Sequence, residues 1–448
     1  MSPSPARLAA FRILMKIEQG GGFAVDMLHD DPVSRFNSAD RRLATELVYG
    51  VLRQKSCLDW HLASLVERPL ERLDREVRMV LRLGAYQILF LARVPVRAAV
   101  HQSVELVKES GKRSATGLVN AVLRKTDEAG FEQACSRLPL DSSWGLSLRC
   151  SHPEWLVNRW IDRWGWKHAS IVLHENNCPP KVHFRSNSPR LGQEEMVTIL
   201  EGEDCRVYPH HLGKGIWVVD EGDLTKSSLY RSGQLAIQGA GSQAIARLLE
   251  LKPSDVCLDL CSGTGGKASH MVQLGKGQAS VVGLDSNYAR LRVSRERHGK
   301  QWPGLSWVVA DGTRPLPLSP RFDKILVDAV CSGTGTLRRN PEIRWRLRAE
   351  DLTRLAGLQF SLLDNAADLV KPGGTLVYAT CSLEPEENEQ VVERFLATHP
   401  GFRFKAAYDE RLKPYEELNP FCRDGFLWLP PLVTQSDGVF AAVMEAAE

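Results

Sequence analysis

Apolar residues along the first third of the chain recur at helical spacing. Leu8, Phe11, Leu14 and Met15 share one face of a helix that begins near residue 6. Asp40 is placed to cap a second helix, which carries Leu43, Leu47, Val48 and Val51. Further helices are expected over 75–90, ending before Pro95, over 96–108 and over 116–125, which makes residues 1–128 an all-α bundle. Periodicity weakens over 129–150, which reads as a linker. Ser151-His152-Pro153-Glu154 has the form of a capping box and opens a helix with Trp155, Leu156, Trp160 and Trp164. Helical spacing marks these tryptophans as core in preference to a base-stacking platform. Strand patterns over 181–187 and 215–219, with a helix over 194–200 between them, make 151–235 a small α+β segment.

From about Gln238 the rhythm becomes strand, helix, strand, helix. Strands are expected at 256–260, 280–284, 306–309 and 325–328. Helices are expected at 288–298 and 351–370, the second stopping at Pro372-Gly373-Gly374. A strand leading to Cys381, a helix over 386–396 and a last strand over 438–444 complete the pattern. Such alternation implies a doubly wound, Rossmann-like α/β domain over 236–448 with a largely parallel sheet.

Composition narrows this little: 448 residues with 25% charged and 43% hydrophobic describe an ordinary globular protein of two or three domains. No apolar run approaches a membrane span and the first residues lack a signal-peptide core, so a cytoplasmic protein with reduced thiols is expected. The ten cysteines form no C-x-x-C pair, which argues against structural zinc. Net charge is only +3, but residues 1–130 hold 20 Lys/Arg against 15 Asp/Glu, a surplus of +5, leaving −2 for the rest. Arg41, Arg42, Arg53, Arg78, Arg82, Arg97 and Arg124 lie between the apolar positions there, and solvated helix faces or an RNA-binding surface account for them equally well.

The candidate chemistry sits where strands end, the edge at which open α/β sheets bind ligands. Ile325, Leu326 and Val327 lead into Asp328, then Cys331 and a Ser332-Gly333-Thr334-Gly335 turn. Fifty positions beyond Cys331, Leu376, Val377 and Tyr378 lead into Thr380, Cys381 and Ser382. Two strand ends, each with a cysteine, point to thiol chemistry on a bound substrate. The first strand of the domain runs into Cys261-Ser262-Gly263-Thr264-Gly265-Gly266-Lys267, whose glycines let a ligand approach the backbone. This loop is neither the G-x-G-x-x-G fingerprint nor a P-loop. Acids end the next two strands: Asp285, where a carboxylate can accept ribose hydroxyls, and Asp311, in reach of an adenine amino group. A nucleoside ligand without a pyrophosphate cradle fits S-adenosylmethionine.

Leu258-Asp259-Leu260-Cys261, Gly265-Gly266-Lys267, Asp328-Ala329-Val330-Cys331-Ser332-Gly333-Thr334-Gly335 and Thr380-Cys381-Ser382 resemble the signature of RNA cytosine-5 methyltransferases. Leu47-Val48-Tyr49-Gly50-Val51-Leu52-Arg53, Leu81-Arg82-Leu83-Gly84-Ala85-Tyr86-Gln87 and Val119-Asn120-Ala121-Val122-Leu123-Arg124 resemble the antitermination-factor-like helical domain of the bacterial 16S rRNA cytosine-5 methyltransferase B family (Sun/Fmu-like). The resemblance covers almost the whole chain. Two positions depart from it: Val330 stands where the family has proline, and Ser262-Gly263-Thr264 replaces the usual Ala-Ala-Pro before Gly-Gly-Lys. What it implies is methyl transfer from S-adenosylmethionine to C5 of a cytosine in RNA, with small-subunit rRNA as substrate. Cys381 is then the nucleophile at C6, Cys331 assists its release and Asp328 faces N3; residues 261–267, Asp285, Asp311 and Asp328 serve the cofactor. Arg338, Arg339 and Arg344 stand where phosphates would pass, with ordinary surface charge as the other reading. Arg185 and Asn187 match a family motif of no assigned role. A monomer without metal or membrane attachment is expected. The same reaction on tRNA, and a non-catalytic RNA-binding factor on the same fold, are the competing expectations; the second gives no chemical need for both thiols.

Overall fold

The computed structural model describes residues 2–188, 191–316, 318, 322–405 and 425–448. Cys422 lies outside the described residues. The chain divides into two compact units: residues up to Asn177 together with Asn340–Arg346, and Cys178–Arg339 with Leu347–Glu448. Among the described residues, no helix is long and apolar enough to cross a membrane.

The first unit is all-helical, as its periodicity requires. Helix Arg75–Phe90 is its centre, buried on every side from Val77 to Leu89 apart from Arg78, which is half-buried. Two glycines let neighbours reach it closely. A Cβ on Gly50, in helix Ser38–Arg53, would lie 1.9 Å from the Tyr86 ring, and one on Gly84 would lie 2.4 Å from Leu123. Arg82 is 3% exposed; Asp59 accepts from it at 2.6 and 2.8 Å and Glu18 at 3.0 Å, so this arginine is internal wiring. Arg78 joins the same group, whereas Arg41, Arg42, Arg97 and Arg124 are exposed.

Three local expectations fail here. Asn37, not Asp40, caps helix Ser38–Arg53, its side chain accepting from the amides of Ala39 and Asp40. The expected linker instead forms helices Glu128–Ser136 and Ser143–Arg149, whose short apolar faces (Phe131; Leu146 and Leu148) are too brief to show a period. Helix Glu154–Glu175 begins after Pro153 without the capping box; Ser151 accepts from the Ser56 amide instead. Trp160 and Trp164 are buried, as core.

Asn340–Arg346 packs within this unit. Glu342 accepts from the Ala24 amide at 2.7 Å, Trp345 donates to the Leu52 carbonyl at 2.7 Å and Arg346 to the Gly22 carbonyl at 2.6 Å. Arg344 is 1% exposed, donating to Ser151 O at 3.0 Å and to Asn177 Oδ1 at 2.8 Å. It is therefore not free to hold a phosphate.

The second unit holds two sheets. The smaller is antiparallel, order β2-β3-β1-β4, from β1 (His183–Ser186), β2 (Arg206–Pro209), β3 (Trp217–Glu221) and β4 (Leu235–Ile237). Helix Gln193–Gly202 packs Met196 and Leu200 into a core with Phe184 and Trp217. Arg185 projects from β1, 2% exposed, and donates to Gln238 Oε1 at 2.7 Å, Asn187 Oδ1 at 2.6 Å, Ser269 Oγ at 3.1 Å and Gln273. Burial without a carboxylate partner lowers this guanidinium to about 9. The family motif thus ties the small sheet to helix Gly266–Leu274.

The larger sheet comprises β5 (Val256–Asp259), β6 (Ser280–Asp285), β7 (Leu305–Val309), β8 (Phe322–Asp328), β9 (Val370–Thr380), β10 (Phe402–Lys405), β11 (Leu427–Leu429) and β12 (Val439–Ala446). Its order is β10-β12-β9-β8-β5-β6-β7, with β11 also paired to β12. The five strands from β9 to β7 are parallel, and β12 joins β9 antiparallel. Pro372-Gly373-Gly374 does not stop the preceding helix, which ends at Ala367; it bulges β9 between the pairs Phe322–Val370 and Lys324–Thr375. Strand order reverses between β5 and β8, and there the ends of the parallel strands part to leave a crevice.

Candidate active site

That crevice is a cleft of ≈ 760 Å³. Of the residues singled out for a cofactor, Cys261, Ser262, Gly263, Thr264, Gly266, Lys267, Asp285, Asp311 and Asp328 all line it. Gly265 does not. It adopts φ +79° ahead of helix Gly266–Leu274, and a Cβ there would lie 2.0 Å from Ser294 Oγ, so it closes the loop against helix Tyr288–His298. Gly263 and Gly266 have no heavy atom within 4 Å of an added Cβ and leave the cleft open to a ligand.

Asp285, at the end of β6, is 9% exposed; its Oδ2 accepts from the Gly263 amide at 2.9 Å and its Oδ1 from the Asn287 amide at 2.8 Å. The acid therefore shapes the glycine loop, with lone pairs left over for hydroxyls. Asp311 is more open. Its carboxylate is held in a local turn by the Thr313 amide at 3.0 Å and hydroxyl at 2.7 Å, and these bonds lower it from the usual range.

Lys267 has a second allegiance. Its ammonium lies 2.5 Å from Asp328 Oδ2, joining the glycine loop to the acid that ends β8. Beneath the pair, burial and the facing Asp328 push Asp259 up to about 7, with Lys267 opposing.

Cys331 and Cys381 meet, sulfur to sulfur, at 3.2 Å. The register explains it: Asp328 pairs with Ala379 in the parallel ladder, so the loops leave adjacent strands at the same height. The contact with Cys381, burial and the nearby Glu387 carboxylate push the Cys331 thiol well above its ordinary value. Val330, just before it, is 54% exposed and borders the cleft. Cys257 is buried in β5 and burial raises it; Cys57 is likewise buried and pushed up to about 12, as expected of inert thiols.

Two arginines assigned to phosphates do other work. Arg338 is 7% exposed and donates to the carbonyls of Cys178 at 3.2 Å and Pro179 at 3.1 Å. Arg339 pairs with Asp437, although it also reaches the cleft wall. The motif marks the right neighbourhood but not the burial, because an arginine beside a turn reads alike in either state. Glu387, fully buried behind both thiol loops, escapes sequence reasoning altogether. Leu383-Glu384-Pro385-Glu386-Glu387-Asn388-Glu389 offers four carboxylates with no periodic sign of which turns inward.

The 16S rRNA methyltransferase RsmB/F family matches residues 246–445, the NusB family residues 4–128, and the RsmF/B-like ferredoxin-like domain residues 152–225. The chain is 33% identical to the probable ribosomal RNA small subunit methyltransferase B of Bacillus subtilis (strain 168), over 99% of each. It is 32% identical to the protein of the same description from Synechocystis sp. (strain ATCC 27184 / PCC 6803 / Kazusa), again over 99% of each. Among solved structures, that of PH0851 shares the fold with a TM-score of 0.80 at 24% identity, covering 99% of both chains.

Proposed function

The chain belongs to the 16S rRNA methyltransferase RsmB/F family, and on that premise we propose that it transfers a methyl group from S-adenosylmethionine to C5 of a cytosine in RNA, with 16S rRNA as substrate, through a covalent bond between Cys381 and C6. The observation that carries this reading is the pair of thiols 3.2 Å apart at the ends of β8 and β9, beside the Lys267–Asp328 pair. The cleft fits the cofactor: Gly263 and Gly266 leave room for it, Asp285 offers lone pairs to a ribose, and Asp311 stands one strand further along. When bound, S-adenosylmethionine supplies an electrophilic methyl group on a sulfonium.

Cytosine C5 becomes nucleophilic only when a thiolate adds to C6. Cys381 is assigned that addition. Asp328, held by Lys267, faces the N3 side of the ring and stabilises the charge that addition creates. After methyl transfer a base removes the C5 proton, the C5–C6 double bond re-forms and the Cys381 sulfur departs. Cys331 retains its proton and stands in contact with that sulfur, so it assists the release by donating an S–H hydrogen bond to the departing thiolate. The base must be unstacked to reach the thiols, so single-stranded or flipped RNA is the form engaged.

Bisulfite sequencing of rRNA from cells with and without the gene tests the reaction and its substrate: one cytosine should lose protection on deletion. Loss of protection in tRNA alone would move the substrate. The thiol roles are read from trapped complexes. Cys381→Ala should give neither methylation nor adduct, whereas Cys331→Ala should accumulate RNA-linked protein that survives denaturing electrophoresis. An adduct only in Cys381→Ala would exchange the roles, and methylation persisting in both would remove thiol catalysis.

A further inference from the structure

Glu387 follows β9 in a short turn, Pro385–Glu387, and is fully buried. Every group bonded to its carboxylate is a donor. The Ser332 amide donates to Oε1 at 2.7 Å and Gln359 Nε2 to the same oxygen at 2.9 Å. The Ser382 hydroxyl donates to Oε2 at 2.5 Å, and the Ser332 hydroxyl donates there too. The amide and the Gln359 N–H can only donate, so Oε1 is an acceptor of both. Burial raises Glu387 above its ordinary value, and these four bonds oppose that rise.

The donors matter for where they lie in sequence. Ser332 follows Cys331 and Ser382 follows Cys381, so one carboxylate grips the residue after each thiol. The two hydroxyls also lie 3.1 Å apart, and the Cys381 carbonyl accepts from the Gly335 amide at 2.9 Å. Gln359 extends the clamp to the cleft side by donating to the Val330 carbonyl at 3.0 Å. β8 and β9 set the height of the loops, but the ladder ends before either cysteine, at Asp328 and Ala379. Beyond it, this buried acid ties one loop to the other, beside the direct bonds from the Gly335 amide to the Cys381 carbonyl and from the Leu383 amide to Thr334 Oγ1 at 2.8 Å.

We propose that Glu387 is the positioning residue of the thiol pair, holding the Cys331 and Cys381 loops in register for the addition and release steps. The proposal rests on the thiol chemistry proposed above. Glu387 touches neither substrate nor cofactor. Gln at this position keeps the size but has one acceptor oxygen where the carboxylate has two, so it cannot receive all four donors.

The test compares Glu387→Gln with the wild-type full chain by three readouts. Bridging of Cys331 to Cys381 by dibromobimane, quantified as linked peptides by mass spectrometry, reports thiol geometry without activity. It should fall several-fold. Methylation kcat should fall by ~10²-fold, the scale of an ångström of misplacement, while KM for RNA stays within about twofold. Affinity for S-adenosylhomocysteine should also stay within about twofold. Normal bridging with normal kcat in a folded Glu387→Gln protein would overturn the proposal. Should that variant fail to fold, Ser332→Ala/Ser382→Ala removes both hydroxyl donors and leaves the Ser332 amide and Gln359, and the same losses are expected. Cys381→Ala separates the two claims: if it is inactive while Glu387→Gln is normal, only the positioning role falls. If Cys381→Ala still methylates, the thiol chemistry itself fails.

Discussion

Asp285 and Asp311 end neighbouring strands and both border the cleft, yet their surroundings predict unequal weight in cofactor binding. Asp285 is 9% exposed and fixed by two backbone amides, so its free lone pairs are presented at a set angle with little water to compete. A hydrogen bond to such a charged acceptor contributes about 1.5–3 kcal/mol, and Asp285→Ala should weaken S-adenosylmethionine roughly 10- to 150-fold. Part of that loss comes through the loop, since the Gly263 amide loses its acceptor as well. The Asp311 side chain is 48% exposed and engaged by Thr313 and by Arg314 at 3.4 Å. Water replaces much of what it offers, so Asp311→Ala should cost about threefold, on the order of 0.5–1 kcal/mol. Calorimetric titration of S-adenosylhomocysteine, with circular dichroism to establish folding, measures both. Unchanged affinity in folded Asp285→Ala, or a larger loss in Asp311→Ala, would refute the reasoning.

Two further outcomes follow from charge. His183 and His210 are buried with rings 5.1 Å apart, and burial, with Arg338 and Arg339 near His183, holds them down to about 3 and about 4. Folded-state values below the ordinary 6.5 mean their stabilisation is complete above that pH and is lost as pH falls towards 4. Urea titrations at pH 7 and 5 should therefore show a pH slope shallower by up to about 1.4 kcal/mol per unit in His183→Phe than in wild type; an equal slope would show that His183 is not neutral when folded. Of the arginines singled out from the sequence in the helical unit, Arg42, Arg97 and Arg124 are exposed and open to phosphates. Replacing all three with Gln should lower the salt slope of RNA binding by ~0.7 for each phosphate no longer neutralised, with cofactor affinity constant; an unchanged slope would make them ordinary surface charge.

Several helices were placed closely by the sequence, although the long one expected over 351–370 runs Ala349–Ala367. Helices Arg75–Phe90, Thr116–Lys125 and Tyr288–His298 begin and end as their patterns predict. Two short strands were missed, β2 and β4, whose four and three residues carry no clear alternation. The site divides in the same way. Its strand-end acids, glycine loop and cysteines were legible because position in a βα unit dictates exposure. Arg338, Arg344 and Glu387 were not, because whether a charged side chain turns inward depends on carbonyls and hydroxyls brought from elsewhere in the chain, here Cys178, Ser151 and Ser332.

The same distant groups bear on an ambiguity that motif spacing leaves open. Two cysteines on equivalent loops of adjacent parallel strands have no intrinsic ranking. Their neighbours differ. Lys267, on the glycine loop, faces Cys381 as well as Asp328, and a cation favours the neighbouring thiolate. Glu387 faces Cys331, and an anion opposes ionisation there. With the sulfurs 3.2 Å apart, two negative charges side by side would repel, so the pair has room for one. The choice of Cys381 as nucleophile rests on the family resemblance, and the trapped-complex experiment with the two cysteine variants is what ranks the thiols. Asp328 belongs to this arrangement too: bound to Lys267, it anchors that cation at the end of β8. Exchanging the two charges is thus a further perturbation to which the order of addition and release should respond.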